Sequence, residues 1–144
     1  MSKSKPENSA ISRRDSREQA FVLLFELDFS KDEFSLDDVL ENAVESRDLE
    51  FSPYAVQAAK GVMDNKKRID GLISSNLKQG WKLTRISKVS LAVLRLAVYE
   101  MLFEDEIPPS VSINEGVELA KKYTVDESPF VNGVLGSVYK ELGL

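Results

Sequence analysis

Val89-Ser90-Leu91-Ala92-Val93-Leu94-Arg95-Leu96-Ala97-Val98-Tyr99-Glu100-Met101-Leu102-Phe103 is the stretch that decides the fold. Twelve of its 15 positions are apolar, and the three exceptions, Ser90, Arg95 and Glu100, do not share one face of a helix. A helix that is apolar all round is a buried one, so this segment is expected at the centre of a bundle, with its polar side chains satisfied inside. It is too short and too interrupted by charge to cross a bilayer, which takes roughly 20 apolar residues.

Outward from this core the chain reads as helices and short connections. Ile107-Pro108-Pro109 stops the central helix. Ser112-Ile113-Asn114-Glu115 has the form of a capping box and leads into Val117, Leu119 and Ala120. Ser128-Pro129 is an N-cap and first-turn proline pair, opening a last helix with Phe130, Val131, Val134, Leu135, Val138 and Leu142 at helical spacing. Upstream, Ser52-Pro53 gives the same signal, and one long helix is expected from there to Leu77, with Gly61 and Gly71 marking bends. Ser35-Leu36-Asp37-Asp38 is a capped start for a second helix. A first helix is expected from Ile11 or Ser12 to Phe29, with Ala20, Phe21, Leu24, Phe25 and Leu27 on its apolar face. No stretch alternates with period two. The expected fold is all-α: two three-helix bundles packed together as one compact domain. Residues 1–10 are expected as a flexible basic tail, 11–80 as the first sub-bundle and 81–144 as the second, with the boundary at Gly80-Trp81.

Composition removes several function classes. The chain has 144 residues, 42% of them hydrophobic, with no cysteine and no histidine. That excludes a disulfide framework, a thiolate zinc site, a Ser-His-Asp triad and an imidazole base. Seven scattered glycines form no phosphate loop. Glu115 and Glu118 resemble half of a bundle di-metal site, but such sites also need histidine. No metal, no cofactor and no catalytic centre are expected. The first nine residues lack the apolar run of a secretory signal, so the chain is expected in the cytoplasm.

The net charge of −5 argues against a nucleic-acid partner until its distribution is read. Residues 26–50 hold ten acids against Lys31 and Arg47, whereas residues 60–88 hold eight cations against Asp64 and Asp70. Residues 1–17 hold five cations against Glu7 and Asp15. A molecule so segregated can offer a basic face to phosphates.

Arg13-Arg14-x-x-Arg17 is the sharpest feature. At about 100° per residue these arginines fall at about 0°, 100° and 40°, on the arc that Leu24 and Phe21 continue at about 20° and 80°. Unpaired guanidinium groups are not buried, so the helix is expected to overhang the bundle and leave a cationic rim for phosphate and base contacts. A solvated helix start, or ion pairs with nearby acids, is the competing reading. Lys66-Lys67-Arg68 with Lys78, Lys82, Arg85 and Lys88 adds either backbone contacts or a merely solvated face. Trp81 is either a stacking platform or packing at a junction. Phe130, at a helix start with free backbone N–H groups, is either a base-stacking ring or core.

Arg13-Arg14-x-x-Arg17-Glu18-x-Ala20, Trp81 to Ile86 leading into Ala92-Val93-Leu94-Arg95-Leu96-Ala97-Val98-Tyr99-Glu100, Ile107-Pro108, Ile113-Asn114-Glu115-x-Val117-Glu118-Leu119-Ala120-Lys121, and Phe130-Val131-Asn132-Gly133-Val134-Leu135 occur in this order. Together they resemble the NusB family of transcription antitermination factors, over about residues 12 to 136. The resemblance implies a non-enzymatic RNA-binding protein. With the small-subunit ribosomal protein NusE it binds the single-stranded boxA element of nascent ribosomal RNA and joins the RNA polymerase antitermination complex. It assigns RNA contacts to Arg13, Arg14, Arg17, Lys121 and Phe130, and the NusE contact to Phe25 and the position of Ser90. Arg95 and Glu100 match family positions but read as structural polar groups. Ser90 and Leu91 stand where relatives commonly carry an acid and a base, which puts the NusE contact at Ser90 in doubt. Gly116 replaces a common alanine, at roughly 1 kcal/mol of helix propensity, and Gly136 replaces a common aspartate.

Two rival readings remain open at this point. One is a helical protein-interaction adaptor that does not bind RNA. The other is an RNA-guiding domain separated from a ribosomal RNA cytosine methyltransferase, whose N-terminal part resembles this family; a full enzyme would continue into a Rossmann-like domain. Whether the free chain is a monomer or a homodimer is equally open.

Overall fold

The computed structural model describes residues 11–30, 35–47 and 51–144. The expected tail 1–10 lies outside the described residues. All regular structure among the described residues is helical: α1 Arg13–Ser30, α2 Leu36–Arg47, α3 Pro53–Asp64, α4 Lys66–Ser75, α5 Lys88–Phe103, α6 Pro109–Tyr123 and α7 Ser128–Leu142, with a 3-10 turn at Leu83–Arg85. The all-α expectation is met. The chain divides into two compact units, residues 1–60 and 61–144.

This division differs from the one expected at Gly80-Trp81. The long helix expected from Ser52 to Leu77 is two helices, α3 and α4, separated at Asn65, whose φ and ψ of −118° and 19° leave the helical range. Asn65 Nδ2 donates to the Gly61 carbonyl at 2.8 Å, offering the backbone a local alternative to continuing the helix. Gly71 lies in regular helix, so it marks no break. Beyond the break, α4 belongs with the C-terminal helices. Ile69 and Ile73 are fully buried, α4 packs on α5 and α7, and Arg95 donates to both oxygens of Asp70 at 2.8 and 3.0 Å.

In the first unit, α1 starts where Ser12 accepts from the Asp15 amide at 3.0 Å, and α2 starts with a reciprocal box. The Asp38 amide donates to Ser35 Oγ at 3.2 Å, and the Ser35 amide to Asp38 Oδ2 at 3.0 Å. Ser52 caps α3 through the Ala55 amide at 3.1 Å. The same serine ties α3 to α1: its hydroxyl donates to Ser16 Oγ at 2.8 Å and its amide to Gln19 Oε1 at 2.8 Å. Ala20, Phe21, Leu23, Leu24, Leu27, Ala55, Ala58 and Ala59 are the buried apolar side chains described in this unit.

In the second unit α5 is the central helix, buried from Ser90 to Met101, with α4, α6 and α7 packed around it. Its polar residues are satisfied as expected: Arg95 by Asp70, and the fully buried Glu100 by the Ser112 hydroxyl at 2.8 Å. The second bond corrects the expected capping box. α6 begins four residues earlier, at Pro109, so Ser112 is inside the helix and faces Glu100. Gly61 allows a close approach: a Cβ there would stand 2.2 Å from Tyr99 Cε1.

Candidate nucleic-acid interface

Each unit carries one candidate surface. In the first unit it is the start of α1. Arg13 and Arg14 are exposed in the first helical turn, downstream of the Ser12 cap. The Arg13 guanidinium lies over the Tyr54 ring, 3.9 Å from its centroid, a cation–π contact that limits where the charge can move. Tyr54 is held there because Ser52 joins the start of α3 to Ser16 and Gln19 on α1.

Arg17 does not extend the rim. It is only 5% exposed and engaged with its surroundings. The expectation that all three arginines overhang the core is corrected by this placement. Arg17 falls at the middle of the apolar arc, one turn before Phe21 and two before Leu24, both buried. Phe25 is half-buried on the next turns, its ring 6.4 Å from Phe21 and 5.8 Å from Phe29, which is 63% exposed. The three rings at four-residue spacing form an aromatic strip that runs from core to solvent.

In the second unit the surface is built around Trp81 and the start of α7. The Trp81 amide donates to the Lys78 carbonyl at 2.9 Å, closing a turn whose third residue, Gly80, has φ +88°. That left-handed conformation favours glycine. The turn brings Trp81 against Phe130, with ring centroids 5.8 Å apart and planes at 32°. Arg85 lies 5.6 Å from the Trp81 centroid. Phe130 is positioned in turn by Glu127, the residue before α7, which accepts from Ser87 Oγ at 2.6 Å and Ser90 Oγ at 2.5 Å. Since Ser87 is the N-cap of α5, the starts of α5 and α7 are joined.

Ser90 is therefore not a surface residue. It is 0% exposed, and its hydroxyl is given to Glu127. The partner contact expected of it has no exposed atom to make it; serine is present because its position faces a carboxylate and needs a donor. Lys121 is exposed in the last turn of α6 and sits 3.3 Å from Glu118 on the same helix, a solvated pair of small energetic weight. In the Lys66-Lys67-Arg68 cluster, Arg68 is 5.7 Å from the Phe103 ring centroid. Sequence reasoning missed Tyr54. An aromatic after Ser52-Pro53 carries no signal by itself, and only the bonds from Ser52 to α1 bring it to Arg13.

No helix among the described residues is long and apolar enough to cross a membrane. No group of three or more potential metal ligands occurs among them either.

The chain is 48% identical to the transcription antitermination protein NusB of Acetivibrio thermocellus over 133 residues, covering 90% of each chain. NusB of T. maritima superposes with a TM-score of 0.79 at 39% identity, covering 91% of this chain and 92% of that one. A solved complex of antitermination factors NusB and NusE with double-stranded RNA contains a chain that superposes with a TM-score of 0.77 at 27% identity, covering 90% and 96%. The NusB family profile matches residues 14–140, from the arginine-bearing start of α1 to the last turns of α7, and this chain belongs to the NusB family.

Proposed function

We propose that this protein is a non-enzymatic transcription antitermination factor of the cytoplasm, and that with a NusE-type ribosomal protein it binds a single-stranded boxA-type RNA and enters the RNA polymerase antitermination complex. The observation that carries the reading is the exposed pair Arg13 and Arg14 at the capped start of α1, with Arg13 set by Tyr54. Guanidinium forks at a helix start suit phosphates and base edges. The likeness to a chain in the complex of NusB, NusE and double-stranded RNA supports both partners. Single-stranded RNA is the favoured form because bases offer their edges mainly when unpaired. Phe130 and Lys121 add contacts on the second unit. On the first, the half-buried Phe25 and the exposed Phe29 give NusE an apolar strip.

The test is fluorescence anisotropy of a labelled boxA RNA, with and without NusE, at two salt concentrations. Salt-dependent binding that NusE strengthens, and that Arg13→Ala with Arg14→Ala weakens, is the expected result. Capture of NusE without RNA binding under any condition would leave a protein-interaction adaptor instead.

A further inference from the structure

The cleft beside Trp81 is a feature that the arginine rim leaves unused. It encloses about 590 Å³ and is lined by Asn76, Lys78, Trp81, Phe130, Gly133 and Ser137, among others, all within the second unit. That volume lies within the range of small-ligand sites, ~300–1,000 Å³, with room for a base and its ribose. One wall is aromatic: Trp81 is 44% exposed although its ring packs against Phe130. An indole this exposed on a soluble chain is an uncovered stacking surface.

The chain segment that forms one side of it is basic. Residues 76–88 carry Lys78, Lys82, Arg85 and Lys88 and no acid. The cleft lining holds Lys78 and no carboxylate. Glu141 lies behind the lining, where it accepts from Asn76 Nδ2 at 2.8 Å. Asn76 also accepts from Ser137 Oγ at 2.5 Å and donates to the Leu72 carbonyl at 2.8 Å, so the polar floor is already committed. Gly133 opens the far side, since a Cβ there would meet nothing within 4 Å.

We propose that this cleft is a nucleobase pocket, in which one unpaired base of the bound RNA stacks on Trp81 while Lys78 and Arg85 hold the flanking phosphates. The inference rests on the RNA-binding reading above and deepens it. Because the floor groups are paired among themselves, the pocket contributes affinity through stacking and is indifferent to which base enters. The exposed Trp81 ring, Lys78 in the lining and Arg85 at the ring favour an RNA strand over an apolar peptide, which would gain nothing from the lysine and arginine.

Trp81 is the only tryptophan of the chain, so its emission reports the pocket directly. The full chain is titrated with unlabelled single-stranded boxA RNA while emission is read, and the anisotropy of labelled RNA is followed in parallel. Quenching is expected with the same midpoint as the anisotropy. Trp81→Leu, which keeps an apolar contact for Phe130, is expected to weaken binding about tenfold, equally for boxA and for a scrambled strand. Gly133→Leu, which fills the cleft from a helix surface with open space, is expected to weaken it similarly, and it decides the matter if Trp81→Leu lowers the melting temperature. Binding at wild-type affinity by Gly133→Leu, or saturation with no change in Trp81 emission, overturns the pocket while leaving RNA binding intact. Quenching by NusE alone overturns it in favour of a protein contact. No anisotropy change at any concentration overturns the RNA-binding reading and the pocket with it.

Discussion

Arg13 and Arg17 are one turn apart on α1, yet their surroundings give them different roles. Arg13 is exposed over the Tyr54 ring, and Arg17 is buried on the core arc. Arg13→Ala with Arg14→Ala is expected to weaken RNA binding at least tenfold with stability unchanged to within about 0.5 kcal/mol, as for other surface substitutions. Arg17→Ala is expected to lower stability by about 1–3 kcal/mol, since a buried side chain and its pairing are both lost. Urea denaturation of the variants beside RNA anisotropy separates the two effects; equal melting behaviour for Arg17→Ala would refute its structural role. Ser90 illustrates the same point. Restoring an acid there as Ser90→Asp would set a second carboxylate against Glu127 in a fully buried site. The expected result is a loss of about 2–3 kcal/mol in thermal denaturation, from an unmet acceptor and like-charge repulsion.

At the scale of elements, glycines that look alike in sequence separate cleanly. Gly61→Ala drives a methyl group into the Tyr99 ring and is expected to destabilise by about 2 kcal/mol or more. Gly71→Ala meets nothing within 4 Å in the middle of α4 and is expected to stabilise by about 0.5–1 kcal/mol. Gly116 is intermediate: a Cβ would approach Leu135 Cδ1 to 3.2 Å, so any gain in helix propensity is opposed by crowding where α6 meets α7. Chemical denaturation of the three alanine variants should rank them with Gly71 most stabilised and Gly61 least. The Arg95–Asp70 pair fastens α4 to α5, with side chains 9% and 18% exposed. Asp70→Ala is expected to cost about 2–3 kcal/mol, the lower end for a buried pair because the carboxylate is partly solvated. A loss below about 0.5 kcal/mol would mean that apolar packing alone joins the two helices.

For the molecule as a whole, an overall charge of −5 coexists with strongly basic stretches. Binding to RNA should therefore weaken steeply with salt despite the acidic total. The logarithmic slope is expected to shrink by about 0.7 for each phosphate contact removed, as for single strands. Anisotropy across a series of salt concentrations, for the parent and for Arg13→Ala with Arg14→Ala, measures that slope. An unchanged slope would mean that these arginines meet no phosphate.

The sequence by itself determined the helical class, the central position of residues 89–103 and the extents of α1, α5 and α7 to within a residue or two, although Ser128 is the first residue of α7 and not its expected cap. Those rest on apolar periodicity, prolines and caps, which act over a few residues and can be read in order along the chain. Arg13, Arg14 and Phe130 were legible as candidates because their residue types and helix-start positions carry the chemistry. Tertiary structure alone decided the break at Asn65, the allegiance of α4 to the second unit, and the conversion of Ser112 from an expected cap to a partner of Glu100. It also buried Arg17 and Ser90, set Tyr54 beneath Arg13 and turned Trp81 onto Phe130. Each of these depends on which side chains meet across distances of tens of residues in sequence. Local periodicity says which face of a helix is apolar; only packing says what stands opposite it.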